Sequence, residues 1–119
     1  MLAKRRRIRT SADFSNAVRS GSRYGRRNVV VYAAARESAE PSRFGFIVSK
    51  AVGNAVARNV VKRRLRECAA LSLANVANGV DVVVRALPPA AEAEWTEIEA
   101  DFNSALSKVV SRLEERKVP

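Results

Sequence analysis

The chain has 119 residues, 47% of them apolar, and carries 22 Lys and Arg against 12 Asp and Glu, for a formal net charge of +10. That length suits one domain and leaves no room for a second. The longest apolar runs, such as residues 29–35, fall far short of the roughly 18 residues a membrane span requires. A single cysteine, Cys68, excludes disulfides within the chain and a zinc cluster. With no histidine, the chain lacks the commonest general base near neutral pH and the commonest metal ligand.

The start, residues 1–9, is basic but has neither the apolar centre nor the cleavage site of a signal peptide, so a cytoplasmic protein is expected. This tail, Lys4 to Arg9, is either a disordered arm that orders on a partner or a solubilising end. Ser11 is the expected N-cap of a short helix with Phe14, Ala17 and Val18 at helical spacing and Gly21 as its stop. Residues 22–28 read as a basic loop and residues 29–35, rich in β-branched side chains, as a strand. A turn containing Pro41 leads to a second strand over residues 43–49, with Phe44, Phe46 and Val48 on one face and Gly45, Ile47 and Ser49 on the other.

Gly53 and Asn54 open the connection to a helix ending before Gly79. At about 100° per residue, Arg58, Lys62, Arg66, Asn59 and Arg63 fall in that order on one arc of roughly 140°. Ala57, Val61, Leu65, Cys68 and Leu71 fall on the opposite arc. The helix therefore combines a stripe that can anchor it to a core with a row of four cations and an amide. A solvated face normally mixes signs, whereas this one meets no acid before Glu67 at its edge. Like charges one turn apart repel until an anion relieves them, so the face suits phosphates. Cys68 sits in the stripe as a small hydrophobe.

Residues 80–86 predict a third strand, closed off by the pair Pro88 and Pro89. Trp95, Ile98, Phe102, Ala105, Leu106, Val109 and Leu113 then recur at intervals of three and four, giving an amphipathic last helix whose stripe, with Trp95 as an anchor, faces the core. The order α-β-β-α-β-α specifies an α+β fold with helices packed on a small central sheet. Charge divides along the chain. Residues 1–66 hold 17 Lys and Arg against 3 acids, net +14, and residues 67–119 hold 5 against 9, net −4, which together return +10. One half makes the positive field and the other is scaffold, so the expected partner is a polyanion. The acids Glu92, Glu94, Glu97, Glu99 and Asp101 read as a helix start and its outer face, not as a magnesium site.

Phe44-Gly-Phe-Ile-Val-Ser-Lys50, then Gly53-Asn-Ala-Val-Ala-Arg58-Asn59, then Lys62-Arg63-Arg64-Leu-Arg66-Glu67 resembles the signature of the bacterial ribonuclease P protein component. The basic start, the Ser-Ala-Asp13-Phe14 opening and the spacing to Tyr32 extend the likeness to about Ala86. The resemblance implies one RNA-binding domain over residues 1–119 with residues 1–9 as a basic arm. It implies the order α-β-β-β-α-β-α, a left-handed βαβ crossover, and a fold like that of ribosomal protein S5 domain 2.

It further implies a ribonucleoprotein endoribonuclease in which a catalytic RNA, with bound Mg2+, removes the 5′ leader of precursor tRNA, while the protein binds both RNAs. It implies no role with DNA or membranes. Arg58, Asn59, Lys62, Arg63, Arg66 and Lys50 correspond to the family's RNA-binding residues, and Phe14, Val18, Tyr32 and Ser49 to its leader cleft. Phe14 and Tyr32 can stack on leader bases or serve as core residues. Val60 departs from the family, which often has a basic or polar residue there, and Val18 stands where relatives can have an aromatic.

A structural ribosomal RNA-binding protein would share the charge, size and architecture and lacks only the ordered motif. A DNA-binding regulator would need a paired helix and tight turn before its recognition helix, where this chain has a strand. A self-sufficient nuclease would need catalytic groups that the composition withholds.

Overall fold

The computed structural model describes residues 2–36, 40–76 and 78–117. Helix α1 spans Ser11–Ser20, strands β1, β2 and β3 span Ser22–Gly25, Val29–Ala35 and Arg43–Ile47, helix α2 spans Ala55–Ser72, strand β4 spans Val80–Ala86 and helix α3 spans Trp95–Lys117. The four strands form one mixed sheet in the order β1-β2-β4-β3. The pairs β1/β2 and β2/β4 are antiparallel. The pair β3/β4 is parallel and is joined through α2, so the chain contains a βαβ unit.

This is the α+β order α-β-β-β-α-β-α that the resemblance implies. The loop expected at residues 22–28 is in fact a short edge strand and a turn: Arg23 pairs with Tyr32, and the Arg26 N–H donates to the Val29 carbonyl (2.8 Å). Backbone pairing with β2 outweighs the low strand propensity of Ser-Arg-Tyr-Gly.

Alternation along the strands feeds two cores. On one face, Val29, Val31, Ala33, Phe44, Val82 and Val84 pack with Val61, Leu65 and Cys68 of α2 and with Ile98, Phe102, Ala105 and Val109 of α3. Phe44 and Phe102 stack with their centroids 6.5 Å apart. On the other face, Val30, Tyr32, Ala34 and Val83 meet Ile8, Ala17, Phe14 and Val18. The long helices cover one side of the sheet, and the single short α1 lies across β2 and β4 on the other.

Several boundaries differ from those read in the sequence. The N-cap of α1 is Thr10, whose hydroxyl accepts from the Asp13 N–H (3.2 Å), and not Ser11, which already lies in the helix. Strand β3 stops at Ile47, and Ser49 lies in the turn beyond it. Helix α2 ends at Ser72 and a 3-10 turn, Leu73–Asn75, comes next, so the helix does not run on to Gly79. The inward stripe of α2 is Val61, Leu65, Cys68, Ala69 and Ser72, while Leu71 is 68% exposed. Leu71 sits about 100° from the centre of that stripe, beyond the reach of the sheet. Cys68 is 2% exposed, and burial, with Glu99 nearby, pushes its thiol pKa up to about 12, consistent with a packing role.

A polar cluster is buried at the start of β4. Asp81 on β4 is 1% exposed and receives two hydrogen bonds from Arg43, Nε to Oδ1 at 2.9 Å and Nη2 to Oδ2 at 2.8 Å, while Arg36 Nε lies 3.0 Å from Oδ1. Arg43 Nη2 also donates to Asp13 Oδ2 of α1 (3.1 Å). The Thr10 hydroxyl and then Arg43 hold the Asp13 carboxyl below its ordinary pKa. A buried carboxylate is tolerated only when paired in this way. Asp81→Ala removes the shared buried partner of two guanidinium groups, leaving Arg43 with Asp13 and Arg36 with Glu40 and the Pro41 carbonyl, and the expected loss is about 3 kcal/mol, read as a lower denaturant midpoint at unchanged m value. A loss below about 1 kcal/mol would make the cluster a surface ornament.

Candidate nucleic-acid interface

The turn into α2 is built by glycine and a cap. Gly53 has φ +155°, a conformation that L side chains rarely adopt. The Val52 N–H donates to the Ser49 carbonyl (3.1 Å) and the Gly53 N–H to the Lys50 carbonyl (3.2 Å). Asn54 Oδ1 then accepts from the Ala57 N–H (2.9 Å) and starts the helix. Val52 is buried beneath this turn, leaving Ser49 and Lys50 exposed at the entrance to α2.

Along α2, Asn59, Arg63 and Arg66 are exposed and Arg58 and Lys62 are half-buried, so the row read from the sequence forms one surface. Among the described residues, no ion pair joins Arg58, Lys62, Arg63 or Arg66 to an acid. Arg64 stands apart, donating from Nη1 to the Ala93 carbonyl (3.3 Å). Val60 is half-buried at the edge of the stripe.

The cleft residues divide into two groups. Phe14, Val18 and Tyr32 share the core beneath α1 with Ile47 of β3, whereas Ser49 and Lys50 lie on the turn before α2. Tyr32 is only 3% exposed, and its ring is covered by the guanidinium groups of Arg23 (5.9 Å) and Arg85 (5.7 Å). The cleft therefore presents two cations over that ring, not an open aromatic face. Phe14 is half-buried, and its ring rests on Gly45, where a Cβ would stand 2.5 Å from Cε1 and Cζ.

Phe14, Gly45 and Phe46 line a groove of about 140 Å³ together with Arg7, Ile8, Lys62 and Arg66. This groove joins the aromatic of α1 to the cations of α2. Arg23, Arg85 and Gly45 are site residues that the sequence did not single out, while Arg7 belongs to the basic tail, Lys4 to Arg9, that it did. The one available signal was Gly45 between two phenylalanines, a small residue where a ring has to approach.

The residues offer no cage for a metal ion: among those described, no group of three or more His, Cys, Asp or Glu could hold one. Asp13 and Asp81 are committed to arginines, and Asp101 accepts from the Asn28 backbone (3.0 Å) and side chain (2.9 Å). No helix among the described residues is long and apolar enough to cross a membrane.

A strand, a glycine-asparagine turn and a helix with a cationic face that no described acid pairs, set beside a groove with one aromatic wall, define an α+β protein equipped for nucleic acid. Comparison with known proteins gives the family. The family model described as Ribonuclease P matches residues 2–110. The chain is 62% identical over 113 residues to the ribonuclease P protein component of Arthrobacter sp. (strain FB24), covering 95% of this chain and 83% of that one. It is 59% identical over 112 residues to that of Kocuria rhizophila, covering 94% and 98%. The solved RNase P protein of Staphylococcus aureus superposes with a TM-score of 0.81 at 32% identity, over 90% of this chain and 99% of that one.

The chain belongs to the ribonuclease P protein component family, the protein part of a ribonucleoprotein endoribonuclease.

Gly45→Ala is expected to displace the Phe14 ring without unfolding the protein, because the hard clash is with the far end of a side chain and Ile8 Cβ, 3.3 Å from the added methyl, has to give only a few tenths of an ångström. Loss of the ring-current shift on the amide of residue 45, with little change in Tm, would show it. An unshifted ring would mean that the backbone of β3 yields instead.

Proposed function

We propose that this chain assists the removal of the 5′ leader from precursor tRNA by holding two RNAs, the catalytic RNA of ribonuclease P and the leader. The observation that carries the reading is the cationic face of α2, with Arg58, Asn59, Lys62, Arg63 and Arg66 side by side and, among the described residues, no acid paired to the cations. Phosphate oxygens satisfy such a row, and charge-assisted hydrogen bonds from arginine forks fix its position on a backbone.

Lys50 and Ser49, exposed at the entrance to α2, extend the same surface toward the leader. The groove beside Phe14 suits a single strand, since an aromatic wall next to cations stacks a base of any sequence, worth about 1–3 kcal/mol per base. Val18 supports Phe14 from the core, and Tyr32 acts from beneath Arg23 and Arg85, whose guanidinium groups meet the strand first.

Hydrolysis of a phosphodiester calls for an activated water in line with the leaving oxygen and for stabilisation of the developing charge. Bound Mg2+ supplies that chemistry, and in this reading the RNA holds it, because the acids Asp13, Asp81 and Asp101 are already engaged. The protein contributes cations that offset phosphate repulsion between leader and catalytic RNA, so less Mg2+ is needed to bring them together. Its place of action is the cytoplasm, with precursor tRNA.

Cleavage of precursor tRNA by a bacterial ribonuclease P RNA at low Mg2+ tests this. The expected result is strong stimulation by the protein, no cutting by protein alone, and loss of stimulation in Arg58→Ala/Arg63→Ala with its melting curve intact. No stimulation with a matched RNA would favour a structural ribosomal RNA binder, and cutting without RNA would reveal an active site in the chain.

A further inference from the structure

The amino-terminal arm is folded, and its folding gathers cations. Leu2 is buried at 1% exposure, the Leu2 carbonyl accepts from Arg7 Nε (3.0 Å), and the Ile8 N–H donates to the Phe44 carbonyl (2.9 Å) on the outer edge of β3. Leu2 joins the core beneath α2 and α3, and Ile8 joins the one beneath α1, so the arm is pinned on both sides of the sheet. Between these anchors a 3-10 turn, Lys4–Arg6, brings charged side chains together.

Lys4, Arg5, Arg7 and Arg9 line a cavity of about 350 Å³ with Glu40, Pro41 and Arg43. Arg43 is committed to Asp81 and Asp13, and the Glu40 carboxylate lies 3.6 Å from Arg36. Lys4, Arg5 and Arg9 are exposed, and no ion pair joins them to an acid among the described residues. Arg7 also lines the groove that holds Phe14, Lys62 and Arg66, so the two depressions meet at one side chain.

We infer that this pocket is a second phosphate-binding site, taking the backbone of single-stranded RNA as it continues past the groove beside α2. The inference rests on the RNA-binding role proposed for α2. A strand fits better than a free nucleotide: no aromatic ring lines the pocket, so a base gains nothing there, and the cations succeed one another along the arm. Anchoring by Leu2 and Ile8 means that little of the arm's entropy remains to be lost on binding.

The test is fluorescence anisotropy with single-stranded RNA of graded length, from about 4 to about 12 nucleotides, a span typical of such sites. It compares the full chain with Arg5→Ala/Arg9→Ala, with Arg58→Ala/Arg63→Ala, and with Arg27→Ala/Lys108→Ala, a control that removes equal charge from exposed positions on the β1–β2 turn and α3. The arm variant is expected to bind the short RNA like wild type, to lose the gain in affinity with length, and to lower the salt slope by about 1.4, two contacts at roughly 0.7 each. Wild-type affinity at every length, or a loss matched by the control, would overturn the site and leave the arm as part of a general positive field. Undiminished binding in the Arg58→Ala/Arg63→Ala variant would instead overturn the α2 interface itself.

Discussion

Asp81 is the constraint around which the molecule is organised. It is a carboxylate taken almost wholly out of water, which is tolerable only because Arg43 grips both its oxygens and Arg36 stands beside it. Those three residues sit at the end of β2, the start of β3 and the start of β4, so one charge cluster locks the corner where the strands converge. Arg43 then extends the lock to Asp13, one residue before Phe14, and thereby sets α1 on the sheet with the Phe14 ring on Gly45. The groove beside α2 exists because of that placement.

Helix α2 divides its labour by angle. Val61, Leu65, Cys68, Ala69 and Ser72 seat it in the core with α3, and among the described residues no acid pairs with Arg58, Lys62, Arg63 or Arg66 on the face that points away from that core. Their repulsion opposes folding slightly, by a few tenths of a kcal/mol per pair, a cost that the proposed phosphate contacts would relieve. The carboxyl-terminal half, net negative, forms much of the core through α3 and does not compete for the same partner. Charge segregation in the sequence thus becomes a difference between neighbouring helices on one side of the sheet, α2 carrying the cationic row and α3 the acids.

What the sequence disclosed came from local pattern, helical periods and β-branched runs. The stripe of α3 from Trp95 to Leu113 and the cationic row of α2 repeat at the helical period, and β2 and β4 stood out as runs of β-branched residues. What it concealed depends on contacts distant in the chain. The Arg43–Asp81 pair spans 38 positions, and no local pattern marks it. Strand β1 is four residues of weak propensity that pair only because β2 lies alongside. Leu71 matched the apolar arc, yet the helix meets the sheet slightly round from that arc's centre, so Ala69 and Ser72 are buried in its place. The cover of Arg23 and Arg85 over Tyr32 arises from cross-strand register, which the sequence could yield only once the hairpin was known.

Whether the α2 face is where RNA is held is decided most directly by the salt dependence of binding to a matched ribonuclease P RNA. The comparison is between the wild type and a variant with Arg58, Lys62, Arg63 and Arg66 all changed to Ala. The slope of log K against log salt is expected to fall in magnitude by about 3, four contacts at roughly 0.7–0.9 each, while the fold survives because none of the four supports the core. An unchanged slope in a folded variant would mean that the phosphates are held elsewhere.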